Sequence, residues 1–263
     1  MTSRPAPAIL PGAEAWAHHA APGTDGPVTI GVLVLHGFTG NPSSMRGFAE
    51  AMAGAGFHVE LPRLPGHGTT VEDMITTGWA DWSAEVEAAY GRLAGRAERI
   101  VVAGLSMGGA LTLWLGLAHP EVVGLVCVNP ATRAQPADVR SFLADTLAAG
   151  TAVMPGIGSD IADPEASESA YEGMPLGPLL SLIDEGLAAV QDRYGELAMP
   201  LLLFTSREDH VVPPADSEYL VEHYGGPVDH RWLERSYHVA TLDFDRDLIF
   251  LDAADFTHRV AAS

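Results

Sequence analysis

The chain has 263 residues, which suits a single α/β domain with one insertion. Its 14 basic and 34 acidic side chains give a net charge of −20, which disfavours nucleic acid and anionic membrane surfaces as partners. Every basic residue is an arginine. The lack of lysine excludes a Walker phosphate-binding lysine, Schiff-base chemistry and serine hydrolases of the S-x-x-K type.

The beginning of the chain has no pattern typical of export. Residues 1–11 are rich in proline and lack the apolar core of a secretory signal, and no apolar run approaches the roughly 18 residues of a membrane span. We therefore expect a cytoplasmic protein. Residues 1–27 look like a loosely ordered lead-in, with Trp16 as a candidate anchor onto the body of the fold.

Apolar runs that end in polar loops recur along the chain. Such runs are typical of parallel strands covered on both faces. The elements predicted before residue 99 are a strand at 30–35, a loop at 36–40, a helix at 43–54, a strand at 57–61, a stiff loop at 61–69 and a helix at 79–93.

A sharp turn at residues 104–108 has the pattern G-x-S-x-G, between a β-branched strand and an apolar helix. This context is typical of a nucleophile turn, in which a strained serine projects its hydroxyl above the sheet. Gly104 and Gly108 supply the required lack of bulk around Ser106. The amide of Met107 then lies at a helix N-terminus, where it favours developing negative charge.

The loop at 36–40 can supply the second backbone N–H donor of an oxyanion hole, since it follows a strand at the same edge of the sheet. We choose Phe38 as its amide donor. We interpret His36 as a residue that holds the turn by bonding the backbone. A metal pair of His36 with His67 is disfavoured, because no metal-ligand spacing accompanies them.

The region from residue 131 to 197 breaks the alternation of strands and helices. A strand at 121–128 precedes it, and its Cys127 is expected to be core packing. We predict an α/β core from residues 1–130 and 198–263, with residues 131–197 forming a small cap, or lid. Such an insertion would line a hydrophobic pocket.

Two polar residues follow the last predicted strands, at 200–205 and 228–233. A serine nucleophile needs a base, and the base needs an acid to fix its tautomer. We select Asp209 as the acid over Glu208, and His238 as the base over His210. The order serine, aspartate, histidine predicts the α/β-hydrolase fold, a mostly parallel sheet flanked by helices.

Five segments carry a joint resemblance, at residues 36–40, 61–69, 104–109, 208–214 and 236–243. Together they are similar to the bacterial monoacylglycerol lipase and carboxylesterase family of α/β-hydrolases. The resemblance implies that Ser106, Asp209 and His238 form the catalytic triad, with Phe38 and Met107 as oxyanion donors.

Residues 157–172 of the insertion also resemble the monoacylglycerol-cleaving members. That resemblance implies that Ile157 lines the acyl path and that Glu168 hydrogen-bonds the glycerol hydroxyls. The residues alone leave another interpretation open, in which Ile157 belongs to the insertion's core and Glu168 is solvated.

We therefore predict a serine hydrolase of monoacylglycerols and of short- to medium-chain esters. It needs no cofactor or metal, binds a small lipid ester, and has at most transient contact with lipid aggregates through the cap. Two alternatives stay open. One is a general carboxylesterase or thioesterase without glyceride preference, and the other is a non-catalytic binding module with the same fold.

Overall fold

The computed structural model describes residues 7–21, 29–156 and 158–262. The strands are β1 (Trp16–His18), β2 (Ile30–Leu35), β3 (His58–Leu61), β4 (Arg99–Leu105), β5 (Gly124–Val128), β6 (Val153–Pro155), β7 (Gly173–Pro175), β8 (Leu201–Ser206) and β9 (Val228–Leu233). The α-helices are α1 (Ser43–Gly54), α2 (Val71–Met74), α3 (Trp79–Ala94), α4 (Met107–Ala118), α5 (Ala137–Ala148), α6 (Leu176–Ser181), α7 (Ala188–Val190), α8 (Pro214–His223) and α9 (Arg246–Ala261).

Seven strands form one sheet in the order β1-β3-β2-β4-β5-β8-β9. Every neighbouring pair is parallel except β1 with β3. The predicted mostly parallel sheet is therefore confirmed. The expectation of a lead-in without regular structure is wrong for Trp16–His18, which pairs with Val59–Leu61 as an antiparallel edge strand.

Apolar side chains cover both faces of the sheet, as the apolar strand runs predict. On one face, Trp82 of α3 and Leu111 of α4 are fully buried against the strands. On the other face, Phe48 of α1 and Ile249 of α9 are buried. Cys127 lies in the first of these clusters, and burial raises the pKa of its thiol, so its predicted packing role is confirmed.

The two outer strands of the sheet differ in how they meet solvent. β1 is only three residues long. β9 carries charged residues, and Arg231 Nε donates to Asp229 Oδ1 over 2.7 Å on this strand.

Residues 131–197, which we call the insertion as predicted, lie between β5 and β8. It contains helix α5, the antiparallel pair β6 and β7, and a run of helical turns from α6 to residue 196. Leu143, Leu176 and Ile183 form an apolar cluster of its own. In the described part of the chain, no helix combines the length and the apolar character that a membrane crossing requires.

Candidate active site

Ser106 stands in a strained turn between β4 and α4. Its φ of 56° and ψ of −116° lie outside the conformations that residues other than glycine ordinarily adopt. The neighbouring strand holds this backbone, since Ser106 N donates to the Val128 carbonyl over 3.1 Å and Ala131 N donates to the Ser106 carbonyl over 3.2 Å. The turn thus has support from outside its own segment.

The two glycines of the turn are required by contacts. A Cβ on Gly104 would overlap the carbonyl of Gly108, and a Cβ on Gly108 would overlap the carbonyl of Leu35. Both positions therefore exclude any larger residue, as the spacing around Ser106 predicts.

Asp209 and His238 meet beyond the ends of β8 and β9. The distance from His238 Nδ1 to Asp209 Oδ2 is 2.8 Å, and the Asp209 side chain is only 1% exposed. The other carboxylate oxygen accepts hydrogen bonds from the amides of Val211 and Val212, both over 2.8 Å. An ionised carboxylate only accepts, so His238 Nδ1 carries the proton and Nε2 presents its lone pair.

The two rival residues lie elsewhere. Glu208 is exposed at the surface. The side chain of His210 is 56% exposed, and its Nδ1 lies 2.8 Å from Asp160 Oδ1 in the insertion. The geometry thus brings His238, and not His210, to Asp209.

Ser106 and His238 line the same cavity, whose volume is about 320 Å³. Within the described part of the chain, the Ser106 hydroxyl and the His238 ring are not hydrogen-bonded to each other. Phe38 and Met107 also line the cavity, and the amide of Met107 opens helix α4, where the first amides have no partner within the helix. Ser106, His238, Phe38 and Met107 therefore surround one space at the carboxyl edge of the sheet, and Asp209 contacts His238 without lining that space.

Most of the cavity wall above Ser106 is apolar and comes from the insertion. Such a wall fits an aliphatic chain and excludes water from it. The apolar residues of the insertion that line the cavity include Ala131, Val139, Leu143, Met174, Leu179, Leu182, Ile183 and Leu187.

Glu168 brings an acidic group to this cavity from the insertion. Burial raises the pKa of its carboxyl, and a positive charge on nearby His238 acts against this rise only when that ring is protonated. Its carboxylate lies against the loop of Phe38, since a Cβ on Gly40 would come within 2.8 Å of Glu168 Oε1. Ile157, the other predicted substrate contact, lies outside the described residues.

The side chains of His36 and His67 hydrogen-bond backbone groups of the loops around the site. His36 Nε2 accepts from the amide of Leu64 over 3.1 Å, so its Nδ1 donates to the Gly37 carbonyl over 3.0 Å. Both ring nitrogens of His36 are thus engaged, which agrees with the predicted turn-holding role. His67 is fully buried with its Nδ1 3.0 Å from the Pro65 carbonyl, and burial lowers its pKa to about 4.

Asn129 is a buried residue that sequence reasoning did not assign to the site. Its side-chain amide donates to the His238 carbonyl over 2.8 Å, and its Oδ1 accepts from Ser206 N over 2.7 Å. The residue adopts a positive φ of 44°, which asparagine tolerates better than most residues. A polar residue directly after a buried strand was the one signal that pointed to it.

Comparison with known proteins agrees with this geometry. The family model described as serine aminopeptidase, S33, matches residues 27–245. The chain belongs to this family. The thermostable monoacylglycerol lipase of Bacillus sp. (strain H-257) is 43% identical to this chain over 230 residues, or 86% of this chain and 90% of that protein. The carboxylesterase of Bacillus subtilis (strain 168) is 29% identical over 87% of this chain and 92% of that protein.

Solved structures of the same fold extend the agreement. A structure from work on LipS and LipT, two metagenome-derived lipolytic enzymes, superimposes with a TM-score of 0.86 and 41% identity, and covers 96% of this chain and 100% of that one. The monoacylglycerol lipase of Paleococcus ferrophilus, at 18% identity, shares the fold with a TM-score of 0.69 over 89% of this chain and 95% of that one. The predicted α/β-hydrolase fold and the predicted resemblance to bacterial ester hydrolases are confirmed.

Proposed function

We propose that this α/β-hydrolase cleaves monoacylglycerols to glycerol and free fatty acid, and also hydrolyses short- to medium-chain carboxylic esters. The observation that carries the proposal is Glu168, whose carboxylate faces the same cavity as Ser106 beneath an apolar wall. An ester with an aliphatic chain and a small polyol needs this combination of apolar surface and polar contact. The 43% identical monoacylglycerol lipase supports the choice of substrate.

The reaction passes through an acyl-enzyme on Ser106. His238 Nε2 takes the proton of the Ser106 hydroxyl as its oxygen attacks the ester carbonyl. Asp209 holds the ring in the required tautomer and stabilises its cation. The amides of Phe38 and Met107 donate to the oxyanion, and His238 then protonates the departing glycerol. Water, which gives a proton to His238, then attacks the carbonyl of the acyl-enzyme in the same way. The bond to Ser106 breaks, and the fatty acid is released.

Residues 131–197 act as the cap over this reaction, and the acyl chain lies along its apolar side chains. Ile157 contributes to the acyl path, and Glu168 receives the hydroxyls of glycerol. Contact with lipid aggregates through the cap is at most transient, because the chain carries a net charge of −20, which anionic lipid surfaces repel. A cytoplasmic location and the exclusion of nucleic acid stay predictions.

The first experiment treats the protein with a fluorophosphonate and measures its intact mass. We expect one adduct, located at Ser106 by peptide analysis and lost in Ser106→Ala. Turnover of a monoacylglycerol is then compared with that of the di- and triacylglycerols. Absence of labelling on the folded protein would contradict the triad and favour a binding module.

The substrate class is tested with Glu168→Ala. We expect its kcat/KM on a monoacylglycerol to fall about 10- to 100-fold, the cost of hydrogen bonds to a charged group, while a simple aryl ester is turned over almost as before. Glu165→Ala, at an exposed acidic residue of the same insertion, is the matched control. Equal loss on both substrates would remove Glu168 from the alcohol site. If the wild type has the same kcat/KM on esters of different alcohols, the protein is a general carboxylesterase.

A further inference from the structure

The side chain of Asp160 links the insertion to the loop that carries His238. Asp160 Oδ2 accepts hydrogen bonds from His238 N and from His210 N, both over 3.1 Å. Its other oxygen lies 2.8 Å from His210 Nδ1, and its backbone carbonyl accepts from Val239 N over 3.0 Å. The Asp160 side chain is 12% exposed, so these bonds are largely shielded from water.

These contacts join the two loops that carry the acid and the base. His210 directly follows Asp209, so one carboxylate oxygen bonds the residue next to the acid and the base itself. On the opposite side of the base, the His238 carbonyl accepts from the amide of Asn129. Both backbone polar groups of His238 are thus held by side chains from other segments.

The connection is reciprocal. Asp243, which lies in the core and is fully buried, accepts from the amides of Ala162 and Asp163 in the insertion, over 2.7 and 3.0 Å. It also accepts from Tyr237 N over 2.9 Å. The core and the insertion therefore each place a carboxylate on the backbone of the other: Asp160 bonds the amide of His238, and Asp243 bonds two amides of the insertion.

A carboxylate suits this place because one of its oxygens serves two amides while the other meets an imidazole. Charge-assisted bonds of this kind are stronger than neutral ones and fix the distance between the groups they join. We propose that Asp160 is a positioning residue for ester hydrolysis, which holds His238 and the loop of Asp209 in register. The proposal rests on the triad proposed above. A displacement of about 1 Å in such a group costs about 100-fold in rate.

The test compares Asp160→Ala, Asp160→Asn and the control Glu165→Gln on an aryl ester of a short acid. We expect Asp160→Ala to lower kcat about 10- to 100-fold with KM unchanged within about threefold. Asn retains one oxygen for both amides and an amino group for the His210 ring. Asp160→Asn should therefore recover most of the lost kcat, and Glu165→Gln should match the wild type.

Circular dichroism and thermal melting establish that each variant is folded. Should Asp160→Ala fail to fold, Asp160→Glu decides, since it keeps the charge and moves the oxygens by one methylene. We then expect a lower kcat at unchanged KM.

Two kinds of result would overturn the proposal. One is wild-type kcat in a folded Asp160→Ala or Asp160→Glu, and the other is an Asp160→Asn variant as slow as Asp160→Ala. Ser106→Ala is measured beside them. Full activity in Ser106→Ala would overturn the triad itself, whereas its loss together with an active Asp160→Ala would overturn only the positioning role.

Discussion

Gly40 leaves the space that the Glu168 carboxylate occupies, and a Cβ at Gly40 would lie 2.8 Å from Glu168 Oε1. The same loop carries Phe38, the proposed oxyanion donor. The group proposed to bind the alcohol and the loop proposed to bind the oxyanion are thus in direct contact. A single missing methyl group sets the distance between them.

Replacing Gly40 by alanine should therefore act on the alcohol side of the substrate. The added methyl pushes the flexible Glu168 carboxylate out of place, and we expect KM for a monoacylglycerol to rise about fivefold to tenfold, the loss of about one hydrogen bond. The kcat/KM for an aryl ester should change less than twofold. Gly91→Ala is the control, because a methyl group there meets nothing within 4 Å. An unchanged KM for the monoacylglycerol would contradict the contact.

Asp209→Asn tests the choice between the two neighbouring acids. An asparagine can donate to His238 Nδ1 and so favours the wrong tautomer, which lowers kcat about 10⁴-fold in a serine protease that has the same triad on a different fold. We expect a loss of that order, measured as steady-state kcat on an aryl ester. Glu208→Gln, which changes an exposed neighbour, should retain wild-type kcat. The reverse pattern would transfer the acid's role to Glu208.

His67 makes the fold sensitive to acid. Its pKa is lowered from 6.5 to about 4 by burial, so below pH 6.5 the unfolded chain binds a proton that the folded chain does not. Stability is full above pH 6.5 and falls as the pH drops towards 4, by about 3 kcal/mol from this residue. Urea unfolding at pH 7.5 and pH 5 measures the difference, which should shrink in His67→Gln. The same difference in both proteins would contradict this assignment.

Asn129→Ala should destabilise the protein by about 2–4 kcal/mol, because Ser206 N and the His238 carbonyl are left buried without their partner. Urea unfolding measures this loss. Asn129→Gly is the matched variant, since glycine accepts the positive φ at no cost and still leaves both groups unpaired. We expect it to lose most of the same stability. Wild-type stability in Asn129→Gly would mean that the backbone conformation, and not the hydrogen bonds, causes the loss.

Much of the fold and the arrangement of Ser106, Asp209 and His238 followed from local patterns. A nucleophile turn needs two small residues at fixed spacing, and parallel strands are buried on both faces, so both features are visible in a short window of sequence. The carboxyl ends of such strands meet at one edge. That rule predicts that Ser106, Asp209 and His238 lie near one another, although they are far apart in the sequence.

The residues that hold these groups in place were not predictable in the same way. Asn129 bonds a residue 109 positions away, and Asp160 bonds one 78 positions away. Such hydrogen bonds join segments that meet only in the tertiary structure, so they produce no periodic pattern in the sequence. The strand Trp16–His18 was missed for a different reason, because three residues are too few to show alternation.

The outer strands of the sheet offer a second copy of this protein little edge with which to pair. An unpaired strand edge is a template onto which another chain can add its own strand. Here one border ends after three residues, and the other carries the Asp229–Arg231 ion pair. A second molecule that docked there would have to strip water from these charges and would find few amides to pair with at the short border. Both borders of the sheet therefore disfavour edge-to-edge pairing between molecules, which is a first step of fibrous aggregation.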